Sequence, residues 1–552
     1  MINWRDYTDK SWITCLEETV KKDPEMEALV FEGQRVTYRE YLDNVYRYAK
    51  ALKGIGVNKG DHVAIWMTNR PEWIYAKWAI DKIGARLIPA NTRFKEKELE
   101  YQLDHSETST LIMEEKFLQK IGAIDMLRNL CPELDRSVPG NLRSQKLPRL
   151  RNVVCIGDEE HRGCFTLDHF LNRGNGIDDK EIETDVRPDD ICAILYTSGT
   201  TGLPKGVMER HRNHVCCFAI LADYFELDYG DKFLAGLAPF FGNIGLTSFL
   251  MPAVVGANTV IMGGAFDPER TLQVIEGEKI THTIVIPTML TAMLDHPHFD
   301  RYDLGSFEVM MCGGAILPRK VIQEALDRFK GLRGILNAYG LVESAGVTAS
   351  VRIGQSPEEI EQTVGRPLPY CEVKILDADG KELPPGRDGQ ICTKEVIPGC
   401  HFSAGYFKNP EATAELFADG LCHSGDMGRL REDGNLQITG RVKDMILVGG
   451  FNIYPAEIES FLLTNPKVKQ SSVVGVPDRR LGEIPMAFVE LKHGESATEE
   501  EIINFCKDNL ANTKVPRHVF FVTEFPMTPQ AKIQKFKLRE RAVKELGLKE
   551  IE

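Results

Sequence analysis

The segment between residues 196 and 207 has the residue types of a phosphate-binding loop. It reads Tyr-Thr-Ser-Gly-Thr-Thr-Gly-Leu-Pro-Lys-Gly-Val and follows the apolar run Ile191–Leu195. Glycines let backbone N–H groups approach an anion closely, and hydroxyls and a lysine add donors and positive charge. It is not a Walker loop, because Lys205 is followed by Gly206 instead of Ser or Thr. The predicted phosphate ligands are Thr197, Ser198, Gly199, Thr200, Thr201, Gly202 and Lys205.

Two more glycine-rich turns follow short apolar runs further along the chain. The first is Cys312-Gly-Gly-Ala-Ile316, and the second is Asn337-Ala-Tyr-Gly-Leu-Val-Glu343. Turns at the ends of neighbouring parallel strands form the usual ligand crevice of an α/β sheet. Glycines leave room for a flat ring, Tyr339 offers a face for stacking, and Glu343 is a hard oxygen ligand of the kind magnesium prefers.

In its C-terminal part the sequence carries one carboxylate and two cations that could bind the ribose and the phosphate of a nucleotide. Asp426 can accept hydrogen bonds from ribose hydroxyls, and Arg441 can add donors nearby. Pro526 and Pro529 stiffen a loop that presents Lys532, whose amine can neutralise charge building at a carboxylate and a phosphate. Without further context, Asp426 could equally pair with a surface arginine.

The elements that must position these residues alternate between strands and helices. Thr37-Tyr-Arg-Glu40 is a capping box that predicts the start of a helix, and His62–Trp66 reads as a short strand. Repeated alternation argues for parallel sheets covered by helices. We therefore predict an α/β fold with parallel or mixed sheets in an N-terminal domain at 1–440. It includes a β-rich subdomain at 370–440 and is followed by a small mobile α+β lid at 441–552.

Composition and charge argue against a nucleic-acid-binding, a secreted or a membrane-spanning protein. The chain has 552 residues, of which 43% are hydrophobic, and its net charge of −14 opposes a general nucleic-acid surface. Its 13 cysteines include no Cys-x-x-Cys pair, and the N-terminus shows no signal-peptide pattern, so we expect a cytoplasmic protein with free thiols. Residues 233–266 carry no charge, but Pro239, Pro252 and six glycines favour a buried strand–helix–strand over a membrane-spanning segment.

On these motifs the chain resembles the AMP-forming acyl-CoA synthetases, within the adenylate-forming enzymes that include firefly luciferase. The resemblance covers essentially the full chain. It implies that a small-molecule carboxylic acid reacts with ATP to give acyl-AMP and pyrophosphate, that coenzyme A then displaces AMP, and that magnesium is required.

The resemblance also implies a role for each matching residue. Catalysis falls to Lys532, Lys205, Glu343 and Thr201, the last two also binding the metal. The nucleotide is held by the phosphate loop, Asp426, Arg441 and a set that surrounds the adenine: Gly313, Gly314, Ala315, Asn337, Ala338, Tyr339 and Gly340. Lys443 is the hinge, and Gly449, Gly450 and Phe451 border the coenzyme A tunnel. Val342 departs from the family, which commonly has a phosphate-contacting threonine there, and Ala531 replaces the usual glycine before the lysine.

The acyl pocket is predicted from an apolar set of residues, each of which could instead be plain core. They are Phe240, Phe241, Gly242, Ile244, Met289, Met310 and Val347. Gly242 stands where relatives commonly carry a bulky gate residue. Residues 131–134 and 139–148 resemble a segment of the medium-chain fatty acyl-CoA synthetase subgroup, which favours a medium-chain, branched or alicyclic acid.

Three alternatives remain open at this point. An adenylating enzyme could deliver the acyl group to a carrier protein, an ATP-dependent phosphotransferase could use the same threonine- and glycine-rich loop, and a silent nucleotide sensor could keep only the binding residues. The combination of Lys532, Glu343, Asp426 and Arg441 argues against the sensor. The sequence leaves open whether the chain forms a homodimer.

Overall fold

The computed structural model describes residues 2–117, 121–197, 203–313, 317–449, 451–527 and 533–548, without the side chains of residues 121, 451 and 452. The strands are β1 Glu27–Phe31, β2 Gln34–Thr37, β3 His62–Trp66, β4 Arg86–Pro89, β5 Thr110–Glu114, β6 Lys116–Phe117, β7 Ile121–Gly122, β8 Asn152–Ile156, β9 Ile191–Thr197, β10 Lys205–Arg210, β11 Lys232–Ala235, β12 Asn258–Ile261, β13 His282–Val285, β14 Val309–Cys312, β15 Gly334–Leu336, β16 Ala338–Tyr339, β17 Ala349–Ser350, β18 Arg366–Pro367, β19 Cys371–Leu376, β20 Gly389–Glu395, β21 Cys422–Leu430, β22 Leu436–Arg441, β23 Ile446–Val448, β24 Phe451–Ile453, β25 Val468–Asp478, β26 Gly482–Leu491 and β27 His518–Phe521.

Most α-helices alternate with these strands along the chain, while α1 precedes β1 and α17 follows β27. They are α1 Trp12–Lys22, α2 Tyr38–Gly54, α3 Pro71–Lys82, α4 Glu96–His105, α5 Ala123–Leu130, α6 Leu167–Asn172, α7 Asp179–Ile182, α8 His211–Tyr224, α9 Asn243–Val255, α10 Pro268–Glu278, α11 Pro287–Leu294, α12 Arg319–Arg328, α13 Pro357–Gln362, α14 Pro410–Leu416, α15 Pro455–Leu462, α16 Glu499–Lys507 and α17 Lys535–Glu545.

Two mainly parallel sheets form the centre of the fold. The first has the strand order β15-β14-β13-β11-β12-β1-β2, and the second has the order β10-β9-β4-β3-β5-β8. Among the described strands, the antiparallel pairs of these sheets are at the edges, β1 with β2 and β9 with β10. The predicted α/β class with parallel and mixed sheets is confirmed.

The largest buried cluster lies between these two sheets and includes residues of α2, α3, α8 and α9. Trp73 of α3 is fully buried there and packs against Phe240 and Phe249. On the same helix Lys77 and Asp81 form a buried ion pair. These helices have a sheet on each side. Burying their large apolar side chains removes apolar surface from water, and this stabilises the packing of the two sheets.

Several local predictions from the sequence are confirmed. The capping box at Thr37 begins α2, and β3 spans His62–Trp66 as expected. The uncharged stretch forms β11, α9 and β12, with Pro252 inside α9. None of the described helices is long and apolar enough to cross a membrane.

Antiparallel structure dominates after the parallel sheets. Strands β19 to β22 form a four-stranded meander, and β23 to β27 form a five-stranded sheet with α15, α16 and α17. A short 3-10 turn at Val442–Asp444 links β22 to β23. The division of the chain at 440/441 remains a prediction, and it falls before the last residue of β22, next to this link.

Candidate functional site

The proposed phosphate loop connects β9 to the edge strand β10. These strands pair with Tyr196 opposite Gly206, and the Thr197 hydroxyl donates to the carbonyl of Lys205 over 3.4 Å. Residues 198–202, which include five predicted phosphate ligands, lie outside the described residues. The hairpin places Thr197 and Lys205 side by side at the end where the loop connects the two strands.

A segment from much later in the chain packs along β10 and brings a tyrosine to Lys205. The N–H of Met208 donates to the carbonyl of Gly405 (2.9 Å), and that of Phe407 donates to Gly206 (2.7 Å). Tyr406 therefore lies under Lys205, whose Nζ is 4.8 Å from the centre of the tyrosine ring. The Tyr406 hydroxyl donates to Oε1 of Glu343 over 2.9 Å, and burial raises the pKa of Tyr406, so the hydroxyl keeps its proton.

Glu343 is positioned by its backbone as well as by Tyr406. It lies in the 3-10 turn Val342–Ser344, and its carbonyl accepts from the N–H of Ser403 over 3.0 Å. Among the described residues, Oε2 of Glu343 has no hydrogen-bond partner, so one hard oxygen remains for a cation. This donor fits a magnesium ion, while Thr201, the other predicted metal ligand, lies outside the described residues.

The ribose carboxylate lies beside the proposed adenine site. β21 pairs with β22 so that Asp426 stands opposite Arg441, whose Nε donates to Oδ1 over 2.9 Å. The Tyr339 hydroxyl donates to Oδ2 of Asp426 over 2.7 Å. Asp426 is only 5% exposed, and burial raises the pKa of Tyr339. Two separate elements therefore fix the orientation of this carboxylate.

The described residues of the two glycine-rich turns lie next to each other, and the ligand crevice itself stays a prediction. A side chain on Gly313 would be in contact with the carbonyl of Ala338, and one on Gly340 would overlap the carbonyl of Gly346. Asn337 donates its amide to the carbonyls of Ile360 (2.8 Å) and Thr363 (3.1 Å), so it anchors the backbone here. Gly314 and Ala315 lie outside the described residues.

The predicted hinge and tunnel residues lie where the five-stranded sheet begins. Lys443 is exposed in the 3-10 turn after β22. Gly449 adopts a positive φ of 57°, and its N–H donates to the carbonyl of Leu481 over 2.7 Å. Gly450, the side chain of Phe451 and Lys532 lie outside the described residues.

The predicted acyl residues divide between two regions. Phe240 is fully buried against Trp73 and Phe249, and Met310 is fully buried in a different cluster, against which Met289 also packs. The remaining members, Phe241, Gly242, Ile244 and Val347, are half-buried or exposed. Among the residues that the structure describes, a side chain at Gly242 would meet only the carbonyl of Pro239, at 3.6 Å, which leaves open space beside it.

Two features of the site were not predicted from the sequence. Tyr406 is the first, and its only local signal is the Gly405-Tyr406 pair ahead of the Asn409-capped helix α14. The second is a cleft of about 880 Å³ between α4 and α17. Its cations come from segments more than 400 residues apart in the chain, so no sequence pattern joins them; they are Arg93, Lys95, Lys97 and Lys537.

A second group of possible metal ligands lies near the ends of β5 and β8. Glu115, Glu159 and His161 offer ligand atoms within 4.8 Å of one another. However, Nζ of Lys116 lies 2.9 Å from Oε1 of Glu115, and Arg128 donates to Nδ1 of His161 over 3.3 Å. Both cations oppose a metal ion, so this group does not fit one.

Comparison with known proteins agrees with the geometry. Residues 16–407 match the family described as AMP-binding enzyme, and residues 457–532 match the AMP-binding enzyme C-terminal domain. The chain is 36% identical to a putative acyl-CoA synthetase, YngI, of Bacillus subtilis, with 97% of each chain covered. It is 34% identical to the mitochondrial medium-chain acyl-CoA ligase ACSF2 of Danio rerio, with 97% of this chain and 88% of the relative covered.

A third relative acts on a ring-bearing acid, and a solved structure shares the fold. The chain is 34% identical to a methyl-dioxo-octahydro-indenyl-propanoyl:CoA ligase of Rhodococcus jostii, covering 96% and 98% of the two chains. The crystal structure of the anthranilate CoA ligase AuaEII in complex with anthranoyl-AMP matches with a TM-score of 0.85 and 27% identity, covering 99% and 100%. The chain therefore belongs to the AMP-binding enzyme family and is an AMP-forming acyl-CoA ligase.

Proposed function

We propose that this ligase activates a medium-chain, branched or alicyclic carboxylic acid. The observation that supports this most directly is the open space beside Gly242, next to the apolar side chains of Phe241 and Ile244. An apolar recess binds acyl carbons through the area it removes from water. The medium-chain and ring-bearing acids named for two relatives are of matching chemistry.

At the nucleotide end, we propose that Asp426 accepts the ribose hydroxyls while Tyr339 and Arg441 hold it in place. The contacts at 2.7 and 2.9 Å restrict the carboxylate before the nucleotide arrives. Pre-ordering a polar group lowers the entropy lost on binding. Gly313 and Gly340 let their own turns pack closely against the backbone of Ala338 and Gly346, which supports the proposed adenine site.

At the phosphates, Lys205 supplies positive charge, and Glu343 binds magnesium with Tyr406 fixing its carboxylate. A magnesium ion held there would supply positive charge that offsets the negative charge of the phosphates. Lys532 is assigned to the acid and the α-phosphate, where its amine neutralises charge that develops as acyl-AMP forms.

For the second half-reaction, we propose that the lid rotates about Lys443 and that coenzyme A enters along Gly449. Rotation of a lid lets one bound intermediate meet different groups in turn. The cleft between α4 and α17 supplies four exposed cations against two glutamates, Glu96 and Glu98. That excess of positive charge suits the phosphates of coenzyme A.

The cysteines favour a reducing compartment such as the cytoplasm. All 13 are unpaired and buried. Since reduced thiols persist where thioredoxin and glutathione act, we propose that the enzyme works there.

A panel of carboxylic acids tests the proposed function. Straight-chain acids of two to sixteen carbons, branched acids and ring acids are supplied with ATP, magnesium and coenzyme A, and AMP, ADP and acyl-CoA are measured. The expected result is AMP and acyl-CoA, highest for medium-chain, branched or ring acids.

Other outcomes separate the alternatives. Release of ADP would favour a phosphotransferase. Pyrophosphate release without acyl-CoA for every acid would favour transfer to a carrier protein. A maximum at acetate or at the longest acids would contradict the proposed acid class while leaving the ligase activity in place.

A further inference from the structure

The helix α4 contacts the chain at both ends of the proposed phosphate loop. At one end, the Tyr101 hydroxyl donates to the carbonyl of Pro204 over 2.8 Å. Pro204 directly precedes Lys205, the first residue of β10. Because a carbonyl and the following backbone nitrogen belong to one planar peptide unit, this bond restricts the orientation of the peptide from which Lys205 begins.

The second contact of α4 holds the other strand. His105 is four residues after Tyr101, so both side chains lie on the same face of the helix. Nδ1 of His105 lies 2.8 Å from the hydroxyl of Tyr196, which directly precedes Thr197, the last residue of β9. Burial lowers the pKa of His105 and raises the pKa of Tyr196. The bond therefore joins a neutral ring to a hydroxyl that keeps its proton.

The two contacts belong to one packed unit of three rings. The rings of Tyr101 and His105 stack with their centroids 5.3 Å apart, and they meet the ring of Tyr196 edge-on at 6.4 and 5.8 Å. A side chain on Gly206 would lie 3.2 Å from the Tyr196 ring, so this ring also covers β10. The unit thus ties α4 to both strands of the hairpin.

The same unit contacts the segment that brings Tyr406 under Lys205. The ring of His105 meets that of Phe407 edge-on, with centroids 5.9 Å apart. Lys205 is therefore held from two sides, by Tyr406 beneath its amine and by Tyr101 at the peptide unit before it.

We propose that Tyr101 and His105 are positioning residues that hold Lys205 and Thr197 at the spacing that the phosphates of ATP require. A cation ordered before the anion arrives loses less freedom on binding. This inference rests on the proposed role of Lys205 at the phosphates. Since acyl-AMP has lost the pyrophosphate part of ATP, the effect should be confined to the first half-reaction.

Removing each hydrogen bond while keeping a ring at the position tests the inference. The variants are Tyr101→Phe, His105→Phe and Tyr196→Phe. The KM for ATP and the KM for the acid are measured by ATP–pyrophosphate exchange with the acid that reacts fastest in the panel, and thiolysis of supplied acyl-AMP is measured separately. Each variant should raise the KM for ATP by about 2- to 10-fold, the usual effect of losing one hydrogen bond, and change the other two quantities by less than about 2-fold.

A double variant tests whether the bond between His105 and Tyr196 carries the effect. His105→Phe and Tyr196→Phe remove the two partners of one bond, so the combined variant should raise the KM for ATP no further than the larger of the single changes. If the two changes multiply instead, the residues act independently and the proposed link to Thr197 is wrong.

Tyr38→Phe is the matched control for Tyr101→Phe. It deletes a tyrosine–carbonyl bond of the same length, 2.8 Å, between the first residue of α2 and Ala257. Its KM for ATP should stay at the wild-type value, whatever the change in Tm. If Tyr38→Phe raises the KM for ATP as much as Tyr101→Phe does, or if Tyr101→Phe lowers only kcat, the α4 contacts act through general stability and the inference is overturned.

Lys205→Ala separates the inference from the proposed function. An unchanged KM for ATP in Lys205→Ala would refute the assignment of Lys205 to the phosphates, and the inference would fail with it. A raised KM for ATP or lost activity in Lys205→Ala, together with wild-type values in the three phenylalanine variants, would refute the inference alone.

Discussion

The nucleotide end and the acyl end of the site differ in how their polar groups are partnered. At the nucleotide end, Asp426 already accepts hydrogen bonds from Tyr339 and Arg441, and Glu343 accepts one from Tyr406. At the acyl end, Gly242 borders open space, since a side chain there would meet only the carbonyl of Pro239 among the described residues. The carboxylates of the nucleotide end are thus oriented by the protein's own side chains, with Oε2 of Glu343 left without a described partner, whereas the acyl end offers open space.

This difference follows from what each end must bind. ATP is the same molecule in every turnover, so carboxylates fixed in advance lower the cost of binding it. An acid must be distinguished from other acids, and discrimination depends on groups that stay unsatisfied or on space that stays empty when the wrong acid binds. Substitutions at the nucleotide end should therefore affect all acids alike, whereas those at the acyl end should reorder them.

The largest expected effect is at Lys532. Lys532→Ala should slow acyl-AMP formation by about 10²–10³-fold, the usual cost of removing one transition-state donor, for every acid in the panel. Hydrolysis or thiolysis of supplied acyl-AMP should change little. Both half-reactions are measured separately.

Lys535→Ala is the matched control for that variant. Lys535 lies three residues away and pairs with Glu459 over 2.7 Å within the same part of the chain. It should retain the wild-type adenylation rate. Equal losses in adenylation and thiolysis for Lys532→Ala would contradict the assignment.

The next effect in size concerns Gly242 and should depend on the acid. Gly242→Trp fills the space beside Phe241, and each methylene excluded from an apolar pocket costs ~1–3 kcal/mol, about 10-fold or more in kcat/KM. Adenylation of the larger acids should fall steeply, while a two- or three-carbon acid loses little.

Gly242→Ala is the control for that substitution, because its Cβ would make an ordinary 3.6 Å contact with Pro239. It should behave like the wild type. If the order of acids in pyrophosphate release is the same for Gly242→Trp as for the wild type, position 242 does not face the acid.

Asp426→Asn should act on the nucleotide and not on the choice of acid. An amide keeps the shape but loses the charge that strengthens the hydrogen bonds, a change of about 1.5 kcal/mol or more, roughly 10-fold in the KM for ATP. Asp388→Asn is the control, since Asp388 pairs with Arg429 of the same strand as Asp426, over 2.9 and 3.0 Å. A reordered acid panel in Asp426→Asn would break the distinction between the two ends.

The sequence predicts those parts of the site whose residues are brought together by local structure, such as neighbouring strands. Asp426 and Arg441 lie on consecutive antiparallel strands, so local pairing sets them opposite each other, and the two glycine-rich turns follow parallel strands whose ends meet at one edge. The capping box at Thr37 likewise depends on residues three positions apart.

Contacts between distant segments could not be predicted in this way. Tyr406 reaches Glu343 only because residues 404–407 pack along β10. Met310 and Met311 belong to different clusters, since neighbouring side chains of a strand point to opposite faces. The sequence marks both as apolar, but which face of β14 meets the acyl end is decided by the packing of helices against the sheet.

The smallest effect is expected at Tyr406, and it should concern the magnesium requirement and not the choice of acid. Tyr406→Phe removes the hydroxyl that holds Oε1 of Glu343 but retains the ring beneath Lys205. Glu343 keeps its backbone bond from Ser403, so only the orientation of the carboxylate is lost, at the net cost of one hydrogen bond: about 0.5–1.5 kcal/mol, or roughly 2- to 10-fold. The loss should appear as a higher magnesium concentration for half-maximal adenylation, equal for all acids.

Tyr46→Phe is the control, because it deletes a similar hydroxyl–carboxylate bond, to Glu17 over 2.7 Å, in the helical layer away from the phosphate loop. If Tyr406→Phe changes the order of acids but not the magnesium requirement, the tyrosine belongs to the acyl end, and the preformed nucleotide site is smaller than the hydrogen bonds indicate.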